Sequence, residues 1–416
     1  MLEQPYFGRR LRRLRTERGL SQAALAGDGM STGYLSRLES GARNPTPRAV
    51  EHLAAQLGAD LSVFDEGAGG DSLSQALALA ASLESDETLE ALERALAAEA
   101  GGDQDPPLRW QALWQVAHWH RRHHRRERER ERLEELVALG ERLGQPALRV
   151  RGLARLARCL RTLGDTGPAV DVAADAHRLA REHGLAVPDV AAGLLALVSV
   201  ESEAGRLAEA RAHADELTEL TADRRDSLWA EALWTGAAVR VRQGDFEGAQ
   251  LLLDQALAGF PSTGDLGLWT RLRIAAAHLH VQKTPPEPDA AERYLEQAES
   301  GLAFLGLPAL EREVVSIRAE LAFEEGRFAD ARTLLDRLRG DGGEGGGRGG
   351  ADPRMTYRGR VRLDVLDGRL LVAEGREQAG LDRLRVLAEE ARASANLDLA
   401  ADIRRVLAET PGGPRA

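Results

Sequence analysis

Gly19-Leu20-Ser21-Gln22-Ala23-Ala24-Leu25-Ala26 and Gly29-Met30-Ser31-Thr32-Gly33-Tyr34-Leu35-Ser36-Arg37-Leu38-Glu39-Ser40-Gly41 decide how this chain is read. Ser21 and Ser31 stand where N-caps belong, because a serine hydroxyl accepts from the free amides of a first helical turn. The stretch therefore predicts two short helices joined by a tight turn. In the second, Leu35 and Leu38 point inward, while Thr32, Tyr34, Ser36 and Arg37 stay on or near the outer face. An outer face of that kind suits a DNA groove. Working outward, Leu11, Leu14, Leu20, Leu25, Leu35, Leu38, Val50, Leu53, Leu57, Leu61 and Phe64 fall at helical spacings and predict four or five helices around one small core. Thr46-Pro47 is a cap followed by proline at the first helical position, Gly41 ends the second helix of the pair, and Asn44-Pro45 makes a turn before the next.

Net charge supports a division of the chain into a head and a body. The total is −11. Residues 1–64 carry nine Arg against six Asp/Glu, a net of +3, so the remainder carries −14. A basic head on an acidic body still attracts phosphate, because screening confines each field to about 8–10 Å. Arg9, Arg10, Arg12, Arg13, Arg15 and Arg18 crowd the first helix and cannot all share one face; each either solubilises the helix or is available to grip phosphate. Arg outnumbers Lys 54 to 1. Cys159 is the single cysteine, which excludes an intrachain disulfide and reads as core. The N-terminus has no signal-peptide pattern, and the longest apolar run, Val190 to Val200, is too short to span a bilayer. A cytoplasmic protein with no membrane partner is expected.

The head resembles the lambda-repressor-like (XRE-type) helix-turn-helix over about residues 7–64. Leu20-Ser21-Gln22, Leu25-Ala26, Met30-Ser31, Leu35-Ser36-Arg37, Glu39-Ser40-Gly41 and Asn44-Pro45 carry the resemblance in order. The link Gly27-Asp28-Gly29 is one residue shorter than the family pattern, which implies a tighter turn. By position the resemblance implies a DNA-binding set of Gln22, Ser31, Thr32, Gly33, Tyr34, Ser36, Arg37, Arg43 and Asn44. Arg37 can fork to guanine or meet phosphate, Gly33 lets the backbone come close, Tyr34 offers an apolar face, and Arg43 and Asn44 approach phosphate.

Beyond a glycine-rich break the chain repeats. Gly164-Asp165-Thr166-Gly167-Pro168-Ala169, Gly205-Arg206-Leu207-Ala208-Glu209-Ala210, Gly244-Asp245-Phe246-Glu247-Gly248-Ala249 and Gly326-Arg327-Phe328-Ala329-Asp330-Ala331 are one motif. Gly375 to Gly380 is a degraded copy, and Pro286 to Ala291 fills the remaining slot. The spacing is about 40 residues, and each motif ends one helix at Gly and starts another whose early Ala packs closely. This resembles tetratricopeptide repeats with lengthened helices. A further unit spans 108–144, and a cap lies near 73–100. The expected architecture is all-α: a small five-helix head (1–66), a linker (67–72) and an α-solenoid (73–416) interrupted by a disordered glycine-rich loop (340–350).

Such a solenoid has a concave wall lined by the first helix of each pair. The motif positions predict a ligand groove of Gln111, Trp114, His118, Arg121, Arg151, Arg158, Arg161, Ser199, Ser202, Glu231, Trp234, Arg273 and His280, continued by Glu313 and Glu320. Arg151, Arg158 and Arg161 share a helix face, where either an anionic partner or intramolecular pairing would relieve their repulsion.

The whole plan resembles the peptide-sensing RRNPP regulators used in quorum sensing, which hold a signalling peptide in the repeat groove. That group commonly clamps the peptide backbone with asparagines; this chain has only Asn44 and Asn396, so Arg, Gln, His, Ser or Glu would replace them.

No P-loop, nucleophile elbow, paired-His zincin motif or dinucleotide fingerprint occurs, so no enzyme, cofactor or metal site is expected. His120 and His124 sit four apart, but no cysteine or fixed carboxylate completes a zinc set there. The expectation is a dimeric, sequence-specific transcription regulator, its partners being double-stranded operator DNA, a second copy of itself, and a short peptide or other anionic ligand. A DNA-tethered adaptor that recruits a partner protein, or a ligand-independent dimeric repressor, is the alternative.

Overall fold

In the computed structural model the described residues are 4, 6–64, 73–98, 105–340, 357–394 and 396–410. Among them the regular elements are all helices. They fall into two compact units, 1–119 and 120–416. No described helix is long and apolar enough to cross a membrane.

The first unit opens with α1 (Tyr6–Glu17), α2 (Gln22–Ala26), α3 (Thr32–Glu39) and α4 (Pro47–Leu57). The expected caps form: Ser21 accepts from the Ala24 amide, Ser31 from Tyr34 and Thr46 from Ala49. The short link between α2 and α3 is one 3-10 turn, Gly27–Gly29. It depends on its glycines. Gly27 has φ +54°, and a Cβ on Gly29 would lie 2.5 Å from the His52 ring. The His52 Nε2 is in turn 2.8 Å from the Ala26 carbonyl, so the turn is pinned onto α4.

Phe7, Leu11, Leu25, Leu35, Leu38, Leu53 and Phe64 are fully buried in one cluster. Two expected core residues differ. Leu20 is only partly buried, and Leu61 is 48% exposed. The segment 61–64 is a 3-10 turn that buries Phe64 against Phe7, ring centroids 5.1 Å apart. The helices α5 (Leu73–Ser82), α6 (Asp86–Ala98) and α7 (Pro106–Arg122) follow. Trp119 on α7 donates its indole N–H to Asp86 at 2.9 Å.

The second unit begins with α8 (Arg126–Arg142) and continues as helix pairs: α9 (Pro146–Leu163) with α10 (Thr166–Glu182), α11 (Val187–Glu203) with α12 (Leu207–Leu220), α13 (Ser227–Arg242) with α14 (Phe246–Gly259), α15 (Leu266–Gln282) with α16 (Pro288–Leu302), α17 (Pro308–Glu324) with α18 (Phe328–Gly340), and α19 (Tyr357–Ala373) with α20 (Glu377–Ala393); α21 (Leu397–Glu409) closes the series. The first helices of successive pairs touch one another, and each second helix packs on its own pair. The repeated glycines end the first helices in the left-handed region, with φ +93° at Gly164, +73° at Gly205, +77° at Gly244 and Gly326, and +82° at Gly375. The repeated alanines Ala169, Ala210, Ala249, Ala291 and Ala331 are wholly buried, because a methyl is all that fits between closely apposed helices. In the degraded copy even a methyl is excluded: a Cβ on Gly380 would lie 2.4 Å from the Gly368 carbonyl oxygen.

His120 and His124 do not share a helix face. Helix α7 stops at Arg122 and His124 turns with φ +56°. Cys159 is buried. The glycine-rich stretches expected as linker (67–72) and loop (341–350) lie outside the described residues, while Gly340 belongs to α18.

Candidate functional site

The outward surface of α3 is the first site. Ser31, Thr32, Gly33, Ser36, Arg37, Arg43 and Asn44 are exposed, and Tyr34 is half-buried. A Cβ on Gly33 would meet nothing within 4 Å, so nothing inside the protein requires glycine there. The Arg43 guanidinium lies 5.0 Å from the Tyr34 ring centroid, a contact that ties the loop after α3 to a residue of its first turn. The Arg43 amide donates to the Arg37 carbonyl.

Beneath this surface Glu39 is buried and does structural work that the sequence reading did not assign. Its carboxylate accepts from Arg15 at 2.6 and 3.2 Å and from the Gln22 side chain at 2.7 Å. Arg15 also donates to the Leu20 carbonyl. Three helices are thereby locked in one orientation, and the Arg15 guanidinium is held above its ordinary value chiefly by its hydrogen bond to Glu39. Of the basic residues on α1, Arg15 is therefore committed to the fold. Gln22 spends its side-chain amide on this network.

The second candidate site is the inner wall of the repeats. At one end, Arg155 on α9 is pulled down to about 10, by burial first and then by Arg121 and Arg158. Arg158 is lowered by burial and Arg121, against the attraction of Glu231 on α13. Glu231 is raised by burial, with Arg158 and Arg271 opposing. Further along, His278, Glu313, Ser316, Glu320, Arg358 and Arg362 line a cavity of about 300 Å³ between α15, α17 and α19. Arg362 donates to His278 at 3.1 Å. Burial raises Glu313 and Glu320 and, with Arg362 beside it, holds His278 well below the ordinary histidine range. The wall is thus a row of charges of both signs, with Arg121, Arg158 and Glu313 open to solvent and Arg155, Glu231, Glu320 and Arg362 half-buried, suited to a dipolar ligand carrying both donors and acceptors.

Arg242 at the end of α13 and Arg358 on α19 both reach Asp398 at the start of α21, each at 2.6 Å. Burial alone would raise the Asp398 carboxyl, but the two guanidinium groups outweigh it and hold it below the ordinary range.

The predicted groove residues separate into groups. Arg121, Arg158 and Glu231 belong to the charged inner row. Arg151 instead pairs with buried Asp189 at 2.6 Å, and Arg161 lies 3.9 Å from Glu203, so both tie α9 to α11. Ser199 is half-buried, and Trp234 packs beside the α13–α15 core. Ser202 is buried. Two expected wall residues are not on the wall. Arg273 is buried, donates to Gln297 of α16 and to the Trp269 carbonyl, and lies 3.4 Å over the Trp269 ring. His280 is buried, bonds Glu287 at 2.6 Å and stacks on Tyr294. The physical reason is register: residues two apart on a helix point to opposite sides, and the wall positions of α15 are Arg271 and His278. Gln111, Trp114 and His118 lie in the first unit, where Gln111 is exposed and Trp114 stacks on Trp110 at 5.2 Å.

Comparison with known proteins accords with this geometry. A helix-turn-helix domain family model matches residues 7–66. No curated protein sequence is significantly similar to the chain. Among solved structures, a Rap protein complexed with competence and sporulation factor is similar over 96% of this chain and 96% of its own, at 12% identity and a TM-score of 0.52. The apo form of RapI is similar over 69% of this chain and 98% of its own, at 10% identity and a TM-score of 0.52. PlcR of Bacillus thuringiensis, in complex with the peptide PapR7 and DNA, covers 74% of this chain and 98% of its own at 15% identity and a TM-score of 0.40. Residues 7–66 of this chain match the helix-turn-helix domain model, and the helices that follow them have a tetratricopeptide-like fold.

Proposed function

We propose that this protein is a sequence-specific transcription regulator of the cytoplasm, with a DNA-reading head (1–66), a linker (67–72) and a repeat body (73–416) that binds a ligand and joins two copies. The observation that carries this reading is the capped helix α3, which turns Thr32, Gly33, Ser36 and Arg37 outward on a base locked by Arg15, Gln22 and Glu39. A helix so held enters a major groove, and two heads on a dimer read two half-sites. The ligand we favour is a short peptide, because the inner wall offers charge of both signs, partly open to solvent, to a backbone rich in dipoles. The Rap protein of similar fold is complexed with competence and sporulation factor. In this chain arginine, glutamate and histidine take the part that asparagine plays in peptide-sensing regulators. A ligand that prefers one spacing of the two heads shifts DNA affinity by that preference and no more.

The test is DNA binding by full-length protein, using duplexes selected from a random pool. Arg37→Ala is expected to weaken binding by about 1–3 kcal/mol with unchanged circular dichroism. Equal affinity of wild type for selected and scrambled duplexes at low salt overturns the reading.

A further inference from the structure

From the side-chain geometry where α10, α11 and α12 meet we infer a zinc-binding site formed by His177, His213 and Glu216. It lies apart from the charged inner row, and it does not rest on the DNA-binding reading.

His213 and Glu216 are three apart on α12, so imidazole and carboxylate project from the same face. His177 of α10 meets them, its Nε2 3.2 Å from the Glu216 Oε1. The two imidazoles meet edge to face, with centroids 5.5 Å apart. One donor atom from each of the three residues lies within 4.8 Å of the other two. Tetrahedral zinc with bonds of about 2.0–2.2 Å needs donors roughly 3.3 Å apart, so a movement of about an ångström closes the set. All three residues are half-buried, which leaves them room to move.

The surroundings carry the inference further. His213 Nδ1 lies 2.8 Å from the Glu201 Oε2, and that carboxylate is almost wholly buried on α11. A carboxylate on the far nitrogen is the partner that metal-bound histidines take; it fixes the tautomer and directs Nε2 at the metal. His177 is held where it is by close packing, since a Cβ on Gly193 of α11 would fall 3.1 Å from the His177 backbone. Arg181 lies 3.6 Å from the Glu216 Oε1; zinc would displace it. Two imidazoles and one carboxylate leave a fourth position for water. That donor set matches zinc rather than calcium or magnesium, which take oxygen ligands.

The experiment uses tag-free, full-length protein freed of metal by chelator and dialysis. Zinc is titrated against a chromophoric chelator, and cobalt is added as a spectroscopic probe. The expected result is one equivalent of zinc per chain and an intense tetrahedral cobalt spectrum. His177→Gln and His213→Gln are each expected to lose at least about 100-fold in affinity, Glu201→Gln about 10- to 100-fold, and the nearby exposed His183→Gln nothing. Absence of a stoichiometric equivalent in the wild type, or a weak six-coordinate cobalt spectrum, overturns the proposal. So does unchanged zinc affinity in both His177→Gln and His213→Gln. The wild-type cobalt spectrum decides even if a variant fails to fold.

Discussion

Gly33→Ala separates folding from DNA recognition in a single substitution. Gly33 is the second residue of α3, and a Cβ built there meets no atom within 4 Å. Alanine is favoured over glycine by about 1 kcal/mol in a helix interior; in a first turn about half of that is expected. For a cooperative unit of about 60 residues, with an unfolding entropy near 2.1 cal/mol/K per residue, 0.5 kcal/mol raises the melting temperature by about 4 °C. If the helix backbone approaches a groove at Gly33, the added methyl must instead push against the duplex. Overpacking of that kind costs on the order of 1–3 kcal/mol, or about 5- to 150-fold in affinity. The variant is therefore expected to show slower amide exchange in α3 and weaker binding in fluorescence anisotropy with a selected duplex. Loss of affinity in a protein more stable than its parent has no explanation through unfolding. Binding as tight as wild type, with the stability gain present, would refute the placement of Gly33 against DNA.

The same substitution should act in the opposite direction at Gly380, where the new methyl meets the Gly368 carbonyl at 2.4 Å; a loss of about 1–3 kcal/mol is expected, read by chemical denaturation of α19–α21. Asp398→Ala strands Arg242 and Arg358, whose side chains are 13% and 14% exposed. The expected loss of about 3–5 kcal/mol should speed exchange in α21 by about 160- to 5,000-fold, and α21 amides as protected as in wild type would count against it. Acid should report the same contact in the wild type. The depressed Asp398 carboxyl contributes stability above the ordinary aspartate range and loses it as pH falls through the lower folded value. Glu313, Glu320 and Asp402, raised by burial, protonate earlier and favour the folded state in doing so, so protection of α19–α21 should hold to about pH 4 and fail below it.

Much of this architecture was legible because its signals are local. A serine or threonine cap, a proline after it and a glycine at a helix end each act within a few residues. Ser21, Ser31, Thr46 and the glycines from Gly164 to Gly375 could accordingly be read without tertiary knowledge. The register of the inner helices was not legible. Helix α15 touches α13, α14, α16 and α17, so it is apolar on several sides and shows no single polar stripe. With Arg271 and Arg273, and His278 and His280, alternating along it, nothing local distinguishes the wall face from the face toward α16. The Arg15–Glu39–Gln22 network was equally hidden: Arg15 sits in a run of arginines, and only the packing of α1 on α3 buries the carboxylate that selects it. His177 and His213 lie in different repeats, and no spacing rule joins them.

Asp398 sits 156 positions beyond one of its two arginine partners. An array of helix pairs bound only to nearest neighbours behaves like an open spring, whose ends stretch independently. A fastener between α13 and α21 makes a closed loop of the intervening helices. Strain introduced anywhere in that loop must then be shared by all of it or vented by releasing one carboxylate, so small local adjustments become an all-or-none event.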